Sequence, residues 1–94
     1  MKGAIKFSDY LKEALKNKAV RKAFEEEEIY ANLAIQIAKL RESEGLTQQD
    51  LARLLNTTQQ TISRLENTQN KSLSLNTLIH LAQALHKKIR IQFV

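Results

Sequence analysis

Apolar residues in this chain recur mostly at three- and four-residue spacing, the period of an amphipathic α-helix. Tyr10, Leu11, Ala14 and Leu15 predict a short first helix, with Ser8 as its N-cap and an end near Asn17. Residues 1–7 before it read as irregular or weakly extended. A second pattern begins at Ala19 and can run unbroken to Glu44, with Val20, Ala23, Phe24, Tyr30, Ala34, Ile37, Ala38 and Arg41 along one stripe. Periodicity leaves open whether residues 9–44 form one bent helix or several.

Gly45, the only interior glycine, suits a left-handed position just past a helix end. Thr47 can cap the next helix, and Asp50 three residues on completes a capping-box pattern. Leu51, Ala52, Leu54 and Leu55 are expected to point inward. Asn56 falls at a turn that calls for positive φ, which Asn tolerates better than any residue but Gly. Thr57 or Thr58 caps the helix that follows. At 100° per residue, Thr58, Ile62 and Leu65 share one side of it. Gln60, Ser63, Arg64 and Asn67 share the other, and Gln59 lies on the exposed first turn. After a polar loop holding Lys71, Ser74 caps a last helix with Leu75, Leu78, Ile79, Ala82 and Leu85 toward the core.

At the C-terminus the period changes. Ile89, Ile91 and Phe93 alternate with Arg90 and Gln92, a half-buried strand pattern. A lone strand leaves its backbone N–H and C=O groups unpaired. Pairing with the same strand of a second chain about a two-fold axis satisfies them, which makes Ile89, Ile91 and Phe93 dimerisation residues. The other reading is an extended tail packed on its own domain. The predicted fold class is all-α with this one short strand. The predicted organisation is an N-terminal helical extension over 1–28, a helical domain over 29–88 and a dimerisation strand over 89–94.

Composition sharpens this picture in a few places. A chain of 94 residues is one domain by size, small enough that oligomerisation commonly adds stability. The absence of Pro and the two Gly favour helices over a turn-rich β fold. With no Cys there is neither a disulfide nor a cysteinyl metal site, which suits the cytoplasm. No apolar run reaches the ~18 residues of a membrane span, and Lys2, Lys6, Asp9 and Lys12 interrupt any signal-peptide stretch. The net charge of +5 is uneven: residues 68–94 hold four basic residues and no acid. Glu25 to Glu28 form an acidic run, either a solvated face or a docking segment for a basic partner.

Candidate chemistry points away from catalysis. His80 and His86 lack companion ligands, so no metal or other cofactor is expected. No Cys nucleophile, Gly-rich phosphate loop or His–carboxylate cluster is visible, so the chain does not read as an enzyme. The exposed residues after Asn56 instead suit double-stranded DNA. A major groove admits one α-helix. A Gln amide can pair with adenine N6 and N7 or meet guanine, and Arg64 can take guanine O6 and N7 or a phosphate. Gln48, opening the supporting helix, suits a phosphate contact. Thr58, Gln59, Gln60, Ser63, Arg64, Asn67 and Lys71 complete the candidate DNA-binding set.

Leu46 to Asn67 resembles the helix-turn-helix of the lambdoid phage repressor and Cro family (the XRE type). The run Thr57-Thr58-Gln59-Gln60-Thr61-Ile62 is especially similar to the reading helix of one such repressor. The likeness covers roughly Ile29 to Leu85. It implies a five-helix core whose third helix enters the major groove, with Gln59 and Gln60 reading bases and Gln48 and Asn67 holding phosphate or supporting that reading. It also implies a structural ion pair between Arg41 and Glu66. Asn56 departs from the usual turn Gly, and the loop after Asn67 is longer than in that repressor, so Lys71 has no matched position. The two ends resemble HigA-like or HipB-like antitoxins of bacterial type II toxin–antitoxin modules. That likeness implies a homodimer that represses its own operon and neutralises a toxin, either a small basic ribosome-dependent RNase of HigB/RelE type or a HipA-like kinase. Phe7, Tyr10, Leu11, Phe24, Glu25 and Glu28 are then the candidate toxin-binding residues. The alternative is a stand-alone phage- or plasmid-type repressor without a toxin.

Overall fold

The computed structural model describes residues 6–94. Five helices follow in order: α1 (Phe7–Ala14), α2 (Lys18–Ser43), α3 (Gln48–Leu54), α4 (Gln59–Leu65) and α5 (Leu75–Ala84). The N-terminal helix is one of the five. The core is therefore built from four helices rather than five: the C-terminal half of α2 with α3, α4 and α5.

Local chemistry sets most of the helix ends. Asn17 starts α2, its Oδ1 accepting from the N–H groups of Ala19 and Val20 at 2.9 and 3.3 Å, which separates α1 from α2. Ser8 does not cap α1. That helix begins two residues earlier, at Phe7, with Lys6 in the N-cap position and no side-chain bond closing it. It also ends at Ala14, short of Asn17. The irregular stretch expected over residues 1–7 lies mostly outside the described residues, and Phe7 is helical. Thr47 and Asp50 close the capping box on α3, with Thr58 and Ser74 capping α4 and α5.

Three helices end on a left-handed residue: Gly45 (φ 70°), Asn56 (φ 53°) and His86 (φ 56°). Each is followed by an N–H that reaches back to a carbonyl of the last turn: Leu46 to Arg41 at 3.2 Å, Thr57 to Ala52 at 2.8 Å and Lys87 to Ala82 at 2.8 Å.

Ile37, Leu51, Ala52, Ile62, Leu65, Leu81 and Leu85 form the buried cluster, with Leu40, Leu46, Leu55, Leu73 and Leu78 packed around it. Three expected core residues are exposed instead. Leu54 is 56% exposed, because the buried sector of α3 is centred on Leu51, Ala52 and Leu55 and Leu54 falls about 100° away. Leu75 and Ile79 are exposed on the flank of α5, whose buried face runs through Leu81, Ala82 and Leu85.

Burial along α2 changes at Tyr30. From Lys18 to Ile29 every residue is exposed, and from Tyr30 onward the helix packs on the core. The boundary expected between residues 28 and 29 thus falls inside one continuous helix. The extension gives the chain a radius of gyration of 17.1 Å, against about 12 Å for a compact chain of this length. No helix among the described residues is long and apolar enough to cross a membrane.

Candidate nucleic-acid interface

The site is built on the pair α3 and α4. Leu51 and Ala52 on α3 face Ile62 and Leu65 on α4, and all four are buried. Ala52 is small enough for the two backbones to approach. Between the helices, Leu55, Asn56 and Thr57 reverse the chain, and the positive φ of Asn56 lets the Thr57 N–H return to Ala52.

With Ile62 and Leu65 committed to the core, the rest of α4 faces outward. Gln59, Gln60, Ser63, Arg64 and Asn67 are all exposed. Thr58 has a different job: its hydroxyl accepts from the Thr61 N–H at 3.2 Å and lies 3.1 Å from the Thr61 hydroxyl, so it is committed to the helix cap. Asn67 stands just past the end of α4 and accepts from the Gln69 N–H at 2.9 Å, which folds the following loop.

Behind this face lies a polar network. The Arg41 Nε donates to Glu66 Oε2 at 2.7 Å and its second terminal nitrogen to Oε1 at 2.9 Å, a bidentate pair. The third guanidinium nitrogen reaches the Leu46 carbonyl at 2.7 Å. The two side chains keep 12% and 7% of their exposure. Its hydrogen bonds to Glu66 hold the Arg41 guanidinium above its ordinary pKa, against the opposing effect of desolvation. Gln48 joins the network, its amide donating to Glu66 Oε1 at 3.2 Å. The opening residue of α3 is thereby tied to the end of α4, and Arg41 ties both to α2. Asp50, in the capping box, is held below the usual carboxylate range by hydrogen bonds from the Thr47 backbone and hydroxyl.

Lys71 lies in the loop after α4. It pairs with Glu27 of α2 at 3.1 Å, joining the loop after α4 to the acidic run. Sequence reasoning did not single out Gln49 or Arg53. Gln49 Nε2 donates to Gln59 Oε1 at 3.2 Å, and Arg53 stands beside it, 3.5 Å from Asp50. The available signal was spacing: residues 49 and 53 share a helix face, one step around α3 from Gln48.

The remaining candidates lie at the two ends of the chain. Phe7 (76% exposed), Tyr10 (62%) and Phe24 (40%) present apolar surface on α1 and the outer half of α2, with Leu11 half-buried and Glu25 and Glu28 exposed. At the other end, residues 87–94 have no regular secondary structure in the single chain. Ile89, Ile91 and Phe93 are exposed there. Ile89 and Ile91 border an open groove of about 560 Å³ shared with Leu33, Leu40 and Leu78.

The profile of a protein family described as helix-turn-helix matches residues 37–92, from the core half of α2 through the C-terminal tail. No curated protein and no solved structure gave a match.

Proposed function

The chain belongs to the helix-turn-helix family and is a DNA-binding transcriptional regulator, and from that premise we propose that it is a dimeric repressor of its own operon and the antitoxin of a protein toxin. The observation that carries the DNA reading is the division of α4. Its Ile62 and Leu65 side is sealed into the core while Gln59, Gln60, Ser63 and Arg64 are exposed. Gln59 and Gln60 read base edges in the major groove. Arg64 takes a guanine or a phosphate, and Gln48 and Asn67 hold the backbone. The Arg41–Glu66 pair fixes the angle at which α4 is presented.

One reading helix contacts too few bases to be specific, so a second copy is needed. The C-terminal tail supplies it, by pairing Ile89–Phe93 across a two-fold axis. Support comes from the alternation of the tail and from Leu75, Ile79 and Ile89, which are exposed apolar residues of the same part of the chain. The half-sites then lie about 34–36 Å apart, or a multiple of that.

The antitoxin role rests on the N-terminal extension. Phe7, Tyr10, Val20 and Phe24 leave apolar surface uncovered on the same extension that carries the Glu25–Glu28 run, a combination suited to a basic protein with an apolar groove. A small basic RNase fits that description better than a kinase does.

Footprinting on the DNA upstream of the gene, followed by titration of variants, tests the reading. Gln59→Ala and Gln60→Ala should each cost about 1–3 kcal/mol at the preferred site and relax base preference there. Equal weakening on every sequence would refute base reading. Deleting residues 1–28 should abolish toxin capture while leaving DNA binding intact, since everything removed from α2 is exposed. Full toxin binding by the truncated chain would move that site elsewhere.

A further inference from the structure

Phe93 is left 97% exposed in the tail, while Ile89 and Ile91 of the same tail border the open groove of about 560 Å³. The floor of that groove is apolar. Leu33, Ile37 and Leu40 of α2 form one side and Leu78 and Leu81 of α5 the other. One chain therefore holds an uncovered aromatic side chain and an apolar space with room for one.

Pairing of two tails about a two-fold axis decides where that side chain goes. Residues directly opposite each other in an antiparallel pair point to the same face. Any register that sets an Ile opposite a polar residue turns one tail inside out, so the axis must pass through a residue and not between two. An axis at Arg90 would set two guanidinium groups opposite each other, and like charges so placed are destabilising. An axis at Gln92 would leave Ile89 beyond the partner's alternating run. An axis at Ile91 sets Ile91 against its own copy, Arg90 against Gln92, and Ile89 against Phe93. Ile89 and Ile91 border the groove, so their face of the ribbon is the groove face. We propose that the tails pair with Ile91 on the axis and that the partner's Phe93 seats in the groove, beside Ile89 and over Leu33 and Leu40. The proposal rests on the tail-paired dimer and adds to it a register and a receptor. Each copy lends the other the side chain that closes the gap between α2 and α5, so side-chain insertion joins backbone pairing in holding the dimer.

The chain has no Cys, so introduced thiols report without background. Opposed residues of an antiparallel pair have Cα atoms within disulfide range. Full-length Ile91→Cys should therefore oxidise to a linked dimer. Arg90→Cys should not link to itself but should link to Gln92→Cys in a mixture. For the groove, a size-tagged Leu33→Cys chain is mixed with an untagged Phe93→Cys chain and treated with a short bismaleimide. A band joining tagged to untagged chain is expected. In sedimentation, Phe93→Ala should raise the dimer dissociation constant about tenfold for each seated ring, roughly a hundredfold for the two in a dimer. Leu33→Ala should act in the same direction, and the double variant should cost less than the sum of the two. Circular dichroism checks that each variant is folded.

A linked Ile91→Cys dimer with no Leu33–Phe93 cross-link, or an unchanged dissociation constant in Phe93→Ala, overturns the seating and leaves strand pairing standing. Cross-linking within one chain of the double variant Leu33→Cys with Phe93→Cys shows that the tail covers its own groove, which also overturns it. If the wild type sediments as a monomer, the tail-paired dimer itself fails and the proposal fails with it.

Discussion

Replacing Glu66 with alanine removes the acceptor for two Arg41 bonds of 2.7 and 2.9 Å and for the Gln48 amide at 3.2 Å. The Arg41 guanidinium keeps its bond to the Leu46 carbonyl but is left nearly enclosed, at 12% exposure, with only the exposed Glu42 carboxylate, 3.7 Å away, as counter-charge. Breaking a buried pair by deleting one partner costs about 3–5 kcal/mol. Residual exposure lets some water reach Arg41, so the lower end, about 3 kcal/mol, is expected here. A chain of this length has roughly 5–14 kcal/mol in all, so the loss is a large fraction. At about 4–8 °C per kcal/mol, the melting temperature should fall by roughly 12–24 °C. Urea denaturation followed by circular dichroism measures the change directly. The double variant Arg41→Met with Glu66→Leu is the control: both charges leave together, and its stability should recover most of the loss. Repeating the melts at high salt should shrink the Glu66→Ala effect little, because enclosed pairs are weakly screened. A Glu66→Ala cost below about 1 kcal/mol, the range of an exposed pair, would show that the network is solvated and not structural.

The three left-handed helix ends give a matched comparison. Gly45→Ala places no atom against a neighbour, so its cost of about 1–2 kcal/mol should come from backbone conformation alone. His86→Gly relieves the same strain at the end of α5 and should stabilise by about 0.5–1 kcal/mol in thermal melts; a destabilised variant would show that the imidazole is needed there. The depressed carboxyl of Asp50 contributes stability above its unfolded pKa, near 3.8, and loses it as pH falls through the lower folded value. Asp50→Asn should therefore flatten that part of the acid-denaturation curve, and parallel curves for the two proteins would contradict the capping role. Truncation after Lys88 should loosen the dimer and lower operator affinity; sedimentation showing an unchanged tight dimer would sink the strand-pairing idea.

What could be read from the residues alone was mostly local. Thr47, Thr58 and Ser74 cap helices through bonds to a residue three positions on, so a short window contains the whole cause. Gly45 and Asn56 are residue types that tolerate positive φ, and they were legible for that reason. His86 adopts the same conformation, but in the sequence it was considered only as a metal ligand. Leu54, Leu75 and Ile79 belong to apolar stripes, but a stripe is wider than the face that packs, and only the neighbouring helices decide which edge is covered. The Gln49–Gln59 bond and the Lys71–Glu27 pair depend on elements brought together by the fold. For the second pair the partners are 44 residues apart. Arg41 and Glu66 are also distant in sequence, and it was resemblance to a known motif, not periodicity, that suggested putting them together.

The unbroken course of α2 has a mechanical consequence. Its 26 residues span about 39 Å at 1.5 Å each. One end carries the exposed Val20 and Phe24, and the other holds Arg41 against the end of α4. Whatever docks on the outer half is therefore phased, in both distance and rotation, to α4, the helix proposed to read DNA. One residue inserted between Glu28 and Tyr30 would advance the outer half by about 1.5 Å and turn it by about 100°. Both surfaces would keep their chemistry, but a bound partner would point to a different side of the operator complex.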